Sequence, residues 1–317
     1  KIYKACETLL TVCSQCKKDE KILIVTDEPS MEVAMALWDA AEDFPNRTLT
    51  MMDPRKMHGE EPTDLVAAAM QQADVIFRVT KMSLTHTMAR KKACQAGARD
   101  LNCCDYTMSM LESGGLYTDF EANRKFVDQI AKGFENGSEC RIISDKGTDY
   151  TASIKGHKVS PQYGMSTRKG EFSSPPDIEC ATGAIPFTAN GTIVVDGSIT
   201  HPEIGVLKQP ITLEIKDSIV QEIKGGKEAE KFRKVLEEFH DPRVYQVGEI
   251  GVGLNPDASL CGRMLEDEGC YGYVHVALGN NDTNLQDCPF HIDMMFQSPT
   301  IFVDEKVILD KGNVVFD

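Results

Sequence analysis

Lys21-Ile-Leu-Ile-Val-Thr-Asp27 sets four consecutive branched aliphatic residues between charged ends. The run is too short for a helix and too uniformly apolar for a strand with one wet face. A strand buried on both faces has this composition, and such strands belong to parallel sheets covered by helices. Working outward, helical periodicity follows from about Ser30, a candidate N-cap, through Phe44. A strand at Arg47 to Met52, a helix near Pro62 to Gln72, a strand at Asp74 to Val79, a helix near Thr85 to Ala96 and a strand at Asp100 to Cys104 continue the alternation. Strands alternating with helices predict a doubly wound α/β sheet. The turn after the first strand, Thr26-Asp-Glu-Pro-Ser30, has two carboxylates and no glycine, which disfavours a nucleotide pyrophosphate there.

A helix over Phe120 to Glu135 closes this region, and Asn136-Gly137 marks the turn out of it. Beyond it β signals dominate: Cys140 to Ser144, Asp149 to Lys155, Gly191 to Asp196, and a hairpin joining Ile211 to Ile215 with Ile219 to Lys224. The expected organisation is an N-terminal α/β domain over 1–138 and a mixed α+β domain over 139–317 that carries the chemistry. A chain of 317 residues, 41% hydrophobic, has enough apolar surface for two such cores.

Asp and Glu outnumber Lys and Arg by 49 to 34, a formal net charge of −15. That field repels phosphate backbones and anionic bilayers, so neither nucleic acid nor a membrane is an expected partner. No apolar run is long enough to span a bilayer, and no signal-peptide pattern opens the chain. Eleven cysteines, an odd number in a long chain, read as core thiols of a cytoplasmic protein rather than a disulfide framework.

The chemistry concentrates in three segments. In Phe290-His-Ile-Asp-Met-Met-Phe296, His291 and Asp293 are two apart in a strand pattern and so share a face, a two-point clamp for a cation. In Gly272-Tyr-Val-His-Val-Ala-Leu-Gly279, His275 is the polar group of an apolar strand. In Gly248-Glu-Ile-Gly-Val-Gly-Leu-Asn-Pro256, Glu249 stands among glycines that permit close backbone approach. Two carboxylates and two imidazoles suit zinc, cobalt, manganese or iron(II), in a set large enough for two ions. Paired metals activate a water and clamp the oxyanion of a carbonyl under attack, which points to amide hydrolysis.

From Gly248 to the C-terminus these motifs, with Leu265-Glu-Asp-Glu268 and Pro299-Thr-Ile301, resemble the thermophilic aminopeptidases, the metallopeptidase family of aminopeptidases T and S. The resemblance implies a dinuclear centre on Glu249, His275, His291 and Asp293, a short-peptide or small-molecule substrate and a homodimer. Ala184 stands where that family has its first glutamate ligand, and Glu179 is the expected substitute, as fifth ligand or as catalytic base. Asp282 replaces a family tyrosine, and Glu268 and Asp282 are candidates for contacts behind the ligands. In length, and in Glu228-Ala-Glu-Lys-Phe232 through Phe239-His-Asp-Pro-Arg-Val-Tyr245, the chain also resembles 2,5-dihydroxypyridine dioxygenases. That resemblance implies one iron(II) on Glu249, His291 and Asp293, with Glu249 in place of a histidine. Because His275 is a peptidase feature, the expectation is a zinc-type metalloprotease, an aminopeptidase-like hydrolase. A ring-cleaving iron(II) dioxygenase is the alternative, and a metal-stabilised binding protein without turnover the third.

Overall fold

The computed structural model describes residues 1–280, 288 and 290–316. It divides into two compact units, residues 1–120 with 162–176, and residues 121–161 with 177–317.

In the first unit the opening run forms β1 (Ile22–Thr26), buried along its whole length. Helix α1 (Met31–Ala40), β2 (Arg47–Met51), α2 (Asp64–Gln72), β3 (Val75–Val79), α3 (Met88–Gln95) and β4 (Arg99–Asn102) follow. The sheet is parallel in the order β2-β1-β3-β4, and the short strand Phe172–Ser173 adds in parallel beside β4. Leu23 and Val25 share a face with Ile76 and pack with Val66 and Met70 of α2 and Ala89 and Ala93 of α3. Alanines on α3 let that helix lie close to the sheet. Ser30 makes no capping bond; Asp27 instead accepts from the Ser30 amide and caps a short 3-10 turn that leads into α1. Thr63 and Thr87 accept amide hydrogens at the starts of α2 and α3.

Arg78 and Asp100 interrupt the apolar interior of this unit, both fully buried. The guanidinium donates from Nε to both Asp100 oxygens at 2.8 and 3.0 Å, with Nη2 at 2.6 Å from Oδ1. Nη1 donates to Thr85 at 3.1 Å and to the Asn102 side chain at 3.4 Å. With both carboxylate oxygens and the Nε and Nη1 groups hydrogen-bonded, this is the kind of arrangement in which a buried pair is tolerated.

The second unit begins with helix α4 (Phe120–Phe134) at its boundary. The sequence places a single break near residue 138; here α4 belongs with the C-terminal unit. The Gly133 backbone lies against Ile308, and Phe126 meets Tyr271 edge-on at 5.2 Å between ring centroids. Residues 162–176 return to the first unit, so the chain crosses between units more than once.

Among the described residues the β-structure of this unit forms two further sheets. One runs in the spatial order Ile219–Lys224, Ile211–Lys216, Asn190–Val195, Asp149–Ser153, Glu139–Ile143, Thr300–Val303, Lys306–Asp310 and Asn313–Val314. Its expected hairpin turns through Asp217 and Ser218, with φ of 50° and 63°, the left-handed pair that matches strand twist in a two-residue connection. The other sheet contains β5 (Glu179–Gly183), β6 (Val247–Gly253), β7 (Tyr273–Gly279) and β8 (His291–Gln297), adjacent in the order β8-β7-β6-β5 and antiparallel. The chain is thus a mixed α/β protein with one parallel and two antiparallel sheets. Among the described residues no disulfide joins the cysteines, and no helix is long and apolar enough to cross a membrane.

Candidate metal centre

The register of β5 to β8 assembles the site. Glu249 on β6 pairs with Gly183 on β5 and Ala277 on β7, and Ala277 pairs in turn with Asp293 on β8. One step along, Gly251 pairs with His275, and Gly279 pairs with His291. Each ligating side chain therefore stands beside a glycine or alanine, which leaves space above the sheet for long polar groups to converge. At Gly251 the clearance is obligatory, since a Cβ added there would fall inside the His275 ring.

Three overlapping groups result, each with its ligand atoms within 4.8 Å of one another: Glu249, His291 and Asp293; Glu179, Glu249 and His275; and Asp177, Glu179 and Glu268. His275 Nε2 lies 3.3 Å from Glu179 Oε2, 3.7 Å from Glu249 Oε1 and 4.0 Å from Asp293 Oδ1. His291 Nε2 lies 3.2 Å from Asp293 Oδ1. Donors about 2.1 Å from one ion are separated by about 3.0 Å when adjacent and about 4.2 Å when opposite, so these spacings fit a shared divalent cation.

Outer contacts orient the donors as they do around bound metals. His291 Nδ1 lies 2.9 Å from the Asn280 carbonyl, which makes Nδ1 the protonated nitrogen and leaves the Nε2 lone pair for the site. Thr200 donates to Asp293 Oδ2 at 3.3 Å and accepts the Asp293 amide at 2.9 Å. Asp293 Oδ1 is buried and makes no hydrogen bond of acceptable geometry among the described residues. Desolvation disfavours an imidazolium at His291, whose side chain is 36% exposed, but Asp293 and Glu249 outweigh it and hold its pKa well above the ordinary value. Burial likewise opposes charge on Asp293, yet His291, His275 and Glu268 bring its pKa below the usual carboxylate range. Both shifts express one fact: His291 and Asp293 each favour the charged form of the other.

The predicted residues Glu179, Glu249, His275, His291 and Asp293 thus converge. Glu268, expected behind His275, instead groups with Asp177 and Glu179, and the charges of Asp293 and Glu179 act on it. Asp282 lies outside the described residues. The turn containing Glu266 and Asp267 is buried rather than solvated; Asp267 accepts from Ser198 at 2.6 Å and from the Cys261 amide at 2.7 Å. Asp177 and Thr200 were not foreseen. Asp177 was open to the same reasoning as His291 and Asp293, because it precedes Glu179 by two. Thr200 comes from a loop whose approach to β8 no local pattern announces.

A family model described as "2,5-dihydroxypyridine 5,6-dioxygenase" (NicX) matches residues 1–316. The 2,5-dihydroxypyridine 5,6-dioxygenase of Pseudomonas putida KT2440 is 27% identical over 259 residues, 78% of this chain and 72% of that protein. A solved structure of 2,5-dihydroxypyridine dioxygenase from the same organism superposes with a TM-score of 0.83 at 21% identity, covering 100% of this chain and 97% of that one. Wild-type AmpT from Thermus thermophilus superposes with a TM-score of 0.71 at 13% identity, covering 99% of each. At such identities the two superpositions show a shared fold.

The expectation of an aminopeptidase-like metallohydrolase, with its hydrolase, aminopeptidase and metalloprotease vocabulary, is overturned by the family match along nearly the whole chain. His275, read as a peptidase mark, sits on a scaffold common to both kinds of relative and does not discriminate between them. With hydrolysis set aside, Glu179 loses its expected role as the base of a water attack.

Proposed function

This chain belongs to the 2,5-dihydroxypyridine 5,6-dioxygenase family, and from that membership we propose an iron(II)-dependent dioxygenase that opens the ring of a hydroxylated nitrogen heterocycle, with 2,5-dihydroxypyridine the first substrate to test. The observation that carries the proposal is the Glu249, His291 and Asp293 group, in which His291 is locked by the Asn280 carbonyl with Nε2 facing the carboxylates. Ferrous iron held there would supply the one-electron chemistry that lets dioxygen react with an electron-rich ring.

The protein's own residues do the rest. Two carboxylates and an imidazole leave coordination positions open for small molecules, as non-haem oxygenase sites require. Glu249 in place of a second histidine adds a negative charge, which favours the oxidised over the reduced ion and predicts a lower reduction potential than a two-histidine site gives. His275, 3.7 Å from Glu249 and almost fully buried, limits where that carboxylate can turn. Thr200 does the same for Asp293.

Oxygen consumption by metal-free protein reloaded with ferrous iron, with and without 2,5-dihydroxypyridine, tests the reading. Iron- and substrate-dependent uptake with loss of the ring's ultraviolet absorbance is expected. A reloaded, folded protein that consumes no oxygen with any dihydroxypyridine isomer would refute it.

A further inference from the structure

We propose that Asp177, Glu179 and Glu268 form a second divalent-cation site, suited to a hard ion such as Mn²⁺ or Mg²⁺, beside the Glu249, His291 and Asp293 site. The proposal rests on geometry and stands whichever substrate the first site takes.

Four observations carry it. The ligand atoms of Asp177, Glu179 and Glu268 lie within 4.8 Å of one another, and this group shares no residue with Glu249, His291 and Asp293, so both can be filled at once. Asp177 is 4% exposed, and its Oδ1 is buried without a hydrogen-bond partner among the described residues. An orphaned carboxylate oxygen inside a protein is costly, and its presence calls for an ion or a proton not supplied by the hydrogen-bond network. The charges that act on Asp177 are those of Asp293 and Glu249, both negative. Finally, the whole constellation sets five carboxylates, Asp177, Glu179, Glu249, Glu268 and Asp293, against two imidazoles, His275 and His291. One divalent ion leaves most of that charge unbalanced; two come close to cancelling it.

Donor chemistry separates the two sites. The first offers an imidazole with two carboxylates and suits borderline ions such as iron(II), whereas three carboxylates without nitrogen suit hard, oxygen-preferring ions. Glu179 is the link between them, since its Oε2 lies 3.3 Å from His275 Nε2, and His275 also reaches Glu249 and Asp293. The second ion would fix the position of Glu179 and through it the His275 ring.

Titration of the metal-free protein with manganese(II), followed by loss of the free-ion electron paramagnetic resonance signal, tests the site without involving substrate. Two equivalents are expected for the wild type, one for Asp177→Asn, one for Glu268→Gln and one for His291→Ala. The equivalent remaining in each variant reports a folded protein. A wild type that binds a single equivalent up to millimolar manganese would overturn the proposal and assign the carboxylates to shared protons. Two equivalents retained by both Asp177→Asn and Glu268→Gln would overturn it as well. Should either variant fail to fold, the wild-type stoichiometry alone decides. Absence of dioxygenase activity would leave all of these counts unchanged, so the two readings fail separately.

Discussion

Two buried charged clusters of this molecule are built by opposite means. Arg78 and Asp100 meet inside the parallel sheet as a closed pair, each oxygen and most of the guanidinium engaged with a protein partner. On the face of β5 to β8, carboxylates outnumber imidazoles, and Asp293 Oδ1 and Asp177 Oδ1 lack hydrogen-bond partners among the described residues. The first arrangement sets one positive against one negative charge; the second leaves carboxylates in excess and is balanced only with a cation. Buried charge in itself therefore says little about function, and what discriminates is whether the surrounding protein already satisfies it.

The largest expected effect breaks the closed pair. Asp100→Asn leaves the Arg78 guanidinium buried opposite a neutral group, and removing one partner of such a pair costs about 3–5 kcal/mol. Denaturant unfolding should show that loss while metal stoichiometry in the surviving folded protein stays the same. Replacing both partners, Arg78→Met with Asp100→Leu, should restore most of the stability, since an apolar pair of similar volume is close to neutral. A double variant as unstable as the single one would mean that the pair does more than fill space.

At the open site, stability should depend on metal and pH together. Metal at a hundred times its dissociation constant adds about 2.7 kcal/mol to unfolding stability by mass action, and Asp293→Asn should abolish most of that gain. In the metal-free protein, burial and then the neighbouring carboxylates push the pKa values of Asp177 and Glu268 well above the ordinary range. The folded chain then holds protons that the unfolded chain releases, so stability is full below the ordinary carboxylate pKa and falls as pH rises through the raised values. His291, also raised, acts in the same direction above its ordinary pKa, whereas the lowered Asp293 contributes until stronger acid protonates it. Thermal melts of metal-free protein should therefore decline from mildly acidic toward neutral pH, and saturating manganese should flatten the decline. A metal-free profile that rises over that interval would contradict the assignment.

The same contrast governs what the sequence could disclose. The parallel unit was legible because runs such as Ile22 to Val25 and helical periods alternate locally; each element starts within two residues of its expected start except α3, which starts three residues late, and α1 ends four residues early. The Arg78–Asp100 pair was not, because its partners sit on different strands and each looks ordinary alone. At the open site, the two-residue spacing of His291 and Asp293 was a local signal, and so was that of Asp177 and Glu179, which went unread. Glu249 and His275 meet only through the β6–β7 register, and Gly251 acquires its meaning only opposite His275. Reaction class was least legible, because the fold is shared with both AmpT and a dioxygenase. His275 pointed toward one of them without excluding the other.

A smaller effect sharpens the open site without touching a ligand. Gly251→Ala would place a methyl inside the His275 ring, and accommodating such overpacking costs about 1–3 kcal/mol. Because the ring must turn away from Glu179 and Glu249, weaker metal binding is expected with the fold retained. Gly133→Ala supplies the comparison, since its methyl would collide with the Ile308 side chain, and neither residue belongs to the three ligand groups or pairs with one of their members. Its stability cost should be similar and its metal affinity close to wild type, as calorimetric titration would show. Equal losses of affinity in the two variants would indicate general loosening of this unit rather than displacement of His275.

The smallest effect returns to the parallel unit. Thr87 accepts the Arg90 amide at 3.2 Å at the start of α3 and donates its own hydroxyl hydrogen to the Leu84 carbonyl at 2.7 Å. Thr87→Ala removes a helix cap and should lower unfolding stability by about 1 kcal/mol. The same residue is fully buried, so water does not replace the lost hydroxyl. Nothing in this contact requires an ion, so the decrement measured by denaturant unfolding should be the same in metal-free and manganese-saturated protein. A cap whose cost changes with metal would show that the two units do not unfold independently of what the ligand face holds.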